Sequence, residues 1–158
     1  MHRLSHLSRA TALVAVFLAS AGAGGNAAAQ AAADPIEGVW EAVITQRDCT
    51  SNAVVATFQG TLVFHRGGTL SDTSGGAPTS RSPGFGQWSG SAGNYAAKFR
   101  FFRYNADGTL AGTAVASRTI ALAADGGSWT SAVRTEIRSL TGTVLQTVCA
   151  SDASARLR

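Results

Sequence analysis

From Val39 onward, apolar and polar residues alternate with a period of two, interrupted at short intervals by glycine, asparagine and aspartate. The pattern predicts eight strands: Val39 to Arg47, Val54 to His65, Thr69 to Thr73, Phe85 to Ser91, Tyr95 to Tyr104, Thr109 to Leu122, Ser128 to Arg138, and a last one from Thr143 onward. Between them lie Gly67-Gly68, Asn105-Ala106-Asp107-Gly108, Ala124-Asp125-Gly126-Gly127 and Thr141-Gly142, residue types that accept the backbone of tight turns. No window after the first 30 residues holds a 3.6-residue period with caps, so no long helix is expected there. One irregular stretch, Ser74 to Gly84, carries two of the three prolines. A loop that long in a small domain is either functional or mobile.

The turns imply registers. Pairing Tyr104 with Thr109 sets Phe101 opposite Gly112, Phe99 opposite Ala114 and Tyr95 opposite Arg118, and directly opposed residues share a face. Pairing Ala123 with Ser128 continues that face, with Leu122 opposite Trp129, Ile120 opposite Ser131 and Arg118 opposite Val133. The next turn sets Ile137 against Leu145. Large rings on one strand facing small residues on the next is how a tapering barrel interior is filled. A bulge at Asn105 to Gly108 would slip the first hairpin by one residue and exchange its faces. Phe102 and Tyr104 fall on the outer face beside Lys98 and Arg100; either that strand bulges or the two rings cover a neighbouring loop.

Composition changes the picture mainly at the start of the chain. Met1 to Arg9 carries Arg3 and Arg9 and no acid, Ala10 to Gly25 is apolar and rich in small residues, and 26–31 offers small-residue cleavage sites. This reads as a secretory leader over 1–29, removed after Ala29 or Ala31, rather than a membrane span, which needs about 20 apolar residues. The remainder, 30–158, is the length of a single domain. Of thirteen Lys and Arg, two leave with the leader, so eleven face nine acids. With no basic run, the chain shows no nucleic-acid footprint. Two cysteines remain, Cys49 and Cys149, and in an exported protein they are expected to form a disulfide, in the periplasm or outside the cell.

Eight strands joined by short turns make an all-β, antiparallel up-and-down barrel in which the last strand closes on the first. Setting Cys49 opposite Cys149 pairs Arg47 with Ser151, Val43 with Ala155 and Trp40 with Arg158, and makes the polar tail Ala150 to Arg158 the second half of the closing strand. Gly38-Val39-Trp40, after the turn-like Asp34-Pro35-Ile36-Glu37, resembles the G-x-W that opens the first strand of lipocalins and other calycin barrels. In lipocalins an arginine from the end of the chain packs on that tryptophan; Arg158, or Arg156 with a slip, holds the corresponding place. The lipocalin T-D-Y motif is absent, Ser71-Asp72-Thr73 being a poor substitute, and no C-terminal helix follows. The length after the leader is nearer that of avidins and fatty-acid-binding proteins, but no run matches the residues avidins use on biotin. Arg81 to Trp88 and Phe99 to Thr109 resemble a group of small exported bacterial proteins to which no function attaches.

Chemistry is bounded mostly by what is missing. His65 is the one histidine after the leader, and as a strand-end residue beside Gly67-Gly68 it suits neither a metal site nor a Ser-His-Asp triad. Asp107 and Asp125 are explained by their turns, and no carboxylate spacing suggests a glycosidase pair. Gly75-Gly76 and Gly84-x-Gly86 precede no helix and cradle no phosphate. No metal and no cofactor is expected. Two constellations remain. Tyr95 and Arg118 share the expected inner face with Phe99, Phe101 and Trp129, and a buried arginine needs a carboxylate, a ring or an anionic ligand; a register slip would instead turn Arg118 outward. The segment Arg81 to Trp88, with Asp72, His65 and Arg66 near the same rim, either lines a ligand mouth or plugs the barrel.

The candidate ligand-binding residues are therefore Tyr95, Phe99, Phe101, Arg118, Trp129, Trp88 and Arg81. The expected function is binding of a small, partly apolar, anionic molecule, a fatty acid or an aromatic acid, in a cavity of roughly a few hundred Å³, with quenching of tryptophan fluorescence. One alternative is a cyclase or isomerase without cofactor, in which Tyr95, Asp72 or Arg118 polarises the substrate. The other is an interaction module with a filled core and an active outer surface around Phe102 and Tyr104. The pattern leaves the oligomeric state open.

Overall fold

The computed structural model describes residues 32–157; the expected leader over 1–29, its cleavage after Ala29 or Ala31, and Arg158 lie outside the described residues. The strands are β1 (Gly38–Arg47), β2 (Val54–His65), β3 (Thr69–Ser74), β4 (Gly84–Ser91), β5 (Asn94–Tyr104), β6 (Leu110–Leu122), β7 (Ser128–Arg138) and β8 (Val144–Arg156). They pair antiparallel in sequence order and β8 returns to β1, closing an up-and-down barrel without a free edge. Each strand begins within one residue of the period-two pattern, and the first seven also end within one residue of it. On β5 the alternation is plain: Tyr95, Ala97 and Phe99 are buried while Ala96, Lys98 and Arg100 face solvent. The barrel matches the architecture that the G-x-W resemblance implies.

The β6–β7 register is the expected one, with Leu122 opposite Trp129, Ile120 opposite Ser131 and Arg118 opposite Val133. The β5–β6 register is not. Phe101 lies opposite Ala114, Phe99 opposite Ala116, Tyr95 opposite Ile120, and Arg118 opposite Ala97. Two separate one-residue slips produce this. In the turn, the Asn105 N–H donates to the Thr109 carbonyl at 2.8 Å, so Asn105 rather than Tyr104 faces Thr109, and Gly108 takes the left-handed backbone (φ 82°) that closes the loop. A bulge then follows: Tyr104 pairs with Leu110 but Arg103 with Gly112, leaving Ala111 unpaired. Two odd slips sum to an even one, so every partner changes and no face does. Arg118 stays inside. A bulge also sets Ile137 opposite Gln146 rather than Leu145, and Leu145 is 63% exposed.

Closure of the barrel is shifted too. Trp40 pairs with Arg156, Val43 with Ala153 and Arg47 with Cys149, two residues from the expected rungs. The reason is the position of Cys49, which lies past the end of β1. There the Asp48 carboxylate accepts the N–H groups of Thr50 and Ser51 at 3.0 and 2.7 Å, folding 48–53 into a tight turn. The Cys49–Cys149 disulfide, with Cα atoms 5.1 Å apart, therefore ties the rim turn to β8 instead of forming a ladder rung. Such bonds form and persist in oxidising compartments. Replacing both cysteines by serine is expected to lower stability by about 2–4 kcal/mol, read as a lower urea midpoint. An unchanged midpoint would show that the link constrains nothing.

The end of the barrel carrying the N-terminal turn is sealed. Ile36 and Trp40 are fully buried, and the Trp40 indole N–H donates to the Ile36 carbonyl at 2.9 Å. The Arg156 guanidinium lies 4.2 Å from the Trp40 ring centroid and donates to the Glu37 carbonyl at 2.8 Å and to the Pro35 carbonyl. Edge-to-face contacts link Trp40 to Trp129, Trp129 to Phe64, Phe64 to Trp88 and Trp88 to Tyr95, with centroids 5.9–6.3 Å apart. This aromatic plug fills the lower half of the barrel.

Candidate functional site

Above the plug the interior turns polar. Arg118 from β6 and Asp152 from β8 form an ion pair whose side chains are 4% and 0% exposed, and the Ser131 hydroxyl donates to Asp152 at 2.8 Å. Asp72 from β3, 5% exposed, is ion-paired with Arg81. Charges taken out of water are costly unless paired, so this layer holds two cations and two anions. The pairing of Arg118 is incomplete: its Nε has no hydrogen-bond partner among the described residues.

Arg81 arrives by way of the long loop. The Ser82 N–H donates to the Phe102 carbonyl, the Tyr104 N–H to the Ser80 carbonyl, and Arg81 bridges to Arg103. The loop thus runs along the upper end of β5, beyond the stretch β4 covers, where Phe102, outward by strand parity, is 40% exposed. Its backbone is tied down rather than loose, and the Arg81 guanidinium is held 3.7 Å over the Phe101 ring centroid. Gly84 makes the close approach possible. A Cβ there would lie 2.8 Å from a Phe99 ring carbon and against the Asp72 carboxylate.

Over this charged layer lies a cavity of about 180 Å³ at the loop-bearing end. Arg118, Asp72 and Arg81 supply its charge; Phe99, Phe101, Ile44, Phe58, Val133, Ile137 and Val148 supply apolar wall. It is smaller than the few hundred Å³ expected, because the aromatic plug and the charged layer occupy most of the barrel. An engineered cavity of about 150 Å³ accepts benzene, so this one has room for a single ring with a small substituent. A wider depression of about 590 Å³ lies on the outside, over β1, β2, β3 and β8, but Glu41 is the one charged residue lining it.

The electrostatics follow from burial. Burial pulls the Arg118 guanidinium down to about 10; Asp72 works against this shift and Arg81 adds to it, and the group remains charged at neutral pH. Burial also raises the Asp72 carboxyl above the ordinary carboxylate range, with Arg81 and, more weakly, Arg118 pulling it back. Tyr95 is pushed up to about 12, first by burial and then by its hydrogen bond to Asp34 at 2.6 Å.

Of the seven candidate residues, Arg118, Phe99, Phe101 and Arg81 line the cavity. The other three belong to the sealed end. Trp129 packs against Trp40, Trp88 donates to the His65 carbonyl at 3.0 Å, and Tyr95 donates to Asp34. Tyr95 therefore shares no space with Asp72 and Arg118. His65 and Arg66 are also at the sealed end, His65 contacting the Ser71 hydroxyl and Arg66 paired with Glu37, so the rim expected to unite them with Asp72 and Arg81 does not exist. Sequence reasoning missed Asp152. The signal was available: an acid with the inward parity of β8 sits inside the barrel in either closing register, opposite Ile44 as observed or Gln46 as expected.

No protein-family model matches this chain, and searches of curated proteins and of solved structures likewise find no match.

Proposed function

We propose that the protein is exported and binds a small, partly apolar, anionic molecule in the cavity at the loop-bearing end of its barrel. One observation carries the reading: a buried arginine with an unpartnered Nε lines a cavity whose remaining wall is mostly aromatic and aliphatic. Arginine offers a planar fork of donors suited to a carboxylate, and Phe99 and Phe101 offer faces for a ring or alkyl group. The disulfide and the leader-like first 29 residues support export, and the resemblance to calycin barrels and to the small exported bacterial proteins agrees with it.

The test is a thermal-shift and calorimetric panel of small aromatic and short aliphatic acids. Saturation at 100 times Kd is expected to stabilise the fold by about 2.7 kcal/mol. Val148→Phe, which places a ring in the cavity from a half-buried wall position, should abolish binding while the barrel stays folded. Fluorescence is the wrong probe, because all three tryptophans lie in the aromatic plug. A panel without any shift, or binding unaffected by Val148→Phe, would sink the proposal.

A further inference from the structure

The cavity is neutral as it stands, and this limits what can enter it alone. Arg118 and Asp152 cancel, Arg81 and Asp72 cancel, and all four lie within the barrel interior or at its lip. A carboxylate brought to Arg118 would leave the layer with one net negative charge among side chains that are at most 17% exposed, which is unfavourable by the same desolvation argument that demands paired charges. Neutrality returns if one of the resident acids takes a proton. Asp152 does not line the cavity, lies behind Arg118 and is further tied to Ser131. Asp72 does line it, next to both arginines.

Resting on the binding reading above, we infer that the cavity takes up a benzoate-sized monocarboxylate together with one proton, the ligand carboxylate docking on Arg118 and the proton settling on Asp72. Size and charge both point to this ligand class. About 180 Å³ admits one ring and a carboxylate but not a long acyl chain. Two groups in the layer keep an atom unpartnered among the described residues, the donor Arg118 Nε and the acceptor Asp152 Oδ1, and of these two residues Arg118 lines the cavity, which selects an acceptor rather than a cation. Phe99 stands between the two charged ends, with Arg118 5.4 Å from its ring centroid, and Phe101 lies 6.4 Å from it under Arg81.

The groups around Asp72 are few. From β6 Arg118 faces it, from the long loop Arg81, and behind Arg118 stands Asp152 of β8. Its strand neighbours offer no titratable side chain: Leu62 of β2 and Gly84 of β4 are directly opposite it, and β5 contributes Phe99. Burial already favours its protonated form, and a ligand carboxylate beside Arg118 offsets one of the two positive charges that oppose this. The complex thus holds the proton more tightly than the free protein, so binding tightens as pH falls and loosens as it rises.

Calorimetry with sodium benzoate between pH 5 and 8, in pairs of buffers with different ionisation heats, measures the proton directly. Net proton uptake is expected, at most one proton, with Kd rising as pH rises and by no more than about tenfold per pH unit. Benzoate itself is ionised throughout, carboxylic acids of this type titrating near pH 4. Asp72→Asn, the neutral isostere, should bind benzoate without uptake and without pH dependence. The ¹³C shift of the Asp72 carboxyl in the unmodified protein gives a second reading, moving toward its protonated value on benzoate addition. Benzylamine, the cationic counterpart, should not bind. Benzoate binding without uptake overturns this inference and leaves the binding reading intact. Uptake that persists in Asp72→Asn overturns it too, since the proton then rides elsewhere. Absence of binding by benzoate overturns it, and silence across the whole acid panel removes the broader reading as well.

Discussion

Replacing Asp152 with alanine is expected to destabilise the barrel by about 3–5 kcal/mol, the range found when one partner of a buried ion pair is removed. The side chain is completely covered, it neutralises a guanidinium only 4% exposed, and it accepts the Ser131 hydroxyl. Without it, Arg118 keeps its charge against low-dielectric surroundings, with Asp72 already committed to Arg81. A second variant separates the lost pair from the charge left behind. Combining Asp152→Ala with Arg118→Met removes both charges, and the double change should recover most of the loss, because apolar replacement of a buried pair is often neutral or stabilising. Urea unfolding of the single and double variants measures both numbers. A loss below about 1 kcal/mol for Asp152→Ala would mean that Arg118 reaches water, and the buried charged layer would then be no constraint on the ligand.

Such a pair is a poor way to stabilise a barrel of this size, since aliphatic side chains would fill the same space at less desolvation cost. Perturbed, paired titratable groups beside a cavity are a recurring feature of functional sites, and this pair lies beneath the cavity that Arg118 lines. The sealed end shows the contrast. There Trp40, Trp129, Phe64, Trp88 and Tyr95 pack edge to face, and Arg156 is spent on capping backbone carbonyls and covering Trp40. Among the described residues that half is packed without a buried ion pair, whereas the half above it is built around two.

How much of this was legible in the sequence depends on parity rather than distance. Strand identity, strand ends and the inward face all follow from period-two alternation, which survives any even slip. Arg118 is the instructive residue: its expected partner across β5 was Tyr95 and its observed partner is Ala97, yet it lies inside because the turn at Asn105 and the bulge at Ala111 each moved the register by one. Absolute register was legible between β6 and β7 but not where a bulge intervenes, because a bulge is a backbone irregularity of one residue that side-chain alternation does not announce. The candidate list suffered accordingly. Tyr95, Trp88 and Trp129 have the right face but the wrong height, and height along a barrel wall is set by register and tilt, which alternation leaves free. Arg81 was found for a different reason: it sits in the one long loop, and long loops collect at barrel mouths.

Deleting residues 151–158 while keeping Cys149 is expected to abolish cooperative unfolding altogether. The cut takes from β1 every partner between Trp40, which pairs with Arg156, and Thr45, which pairs with Ser151, and from β7 every partner between Ser128 and Ala132. Two facing strand edges would open along half the barrel, exposing unpaired N–H and C=O groups beside the buried Trp40 and Trp129. The same cut removes Asp152 from Arg118 and Arg156 from Trp40. The disulfide survives but lies at the opposite rim, where it constrains the unfolded chain without restoring the lost rungs. Near-UV circular dichroism and calorimetry should show no folded transition. Stopping the chain at Arg156 instead leaves every rung in place and should preserve the transition, since Leu157 is half exposed and adds one hydrogen bond, to the Val39 carbonyl. A cooperative, disulfide-linked core surviving the longer deletion would show that β8 does not hold the barrel closed. The sealed end, the charged layer and the cavity above it would then have to be rebuilt on seven strands.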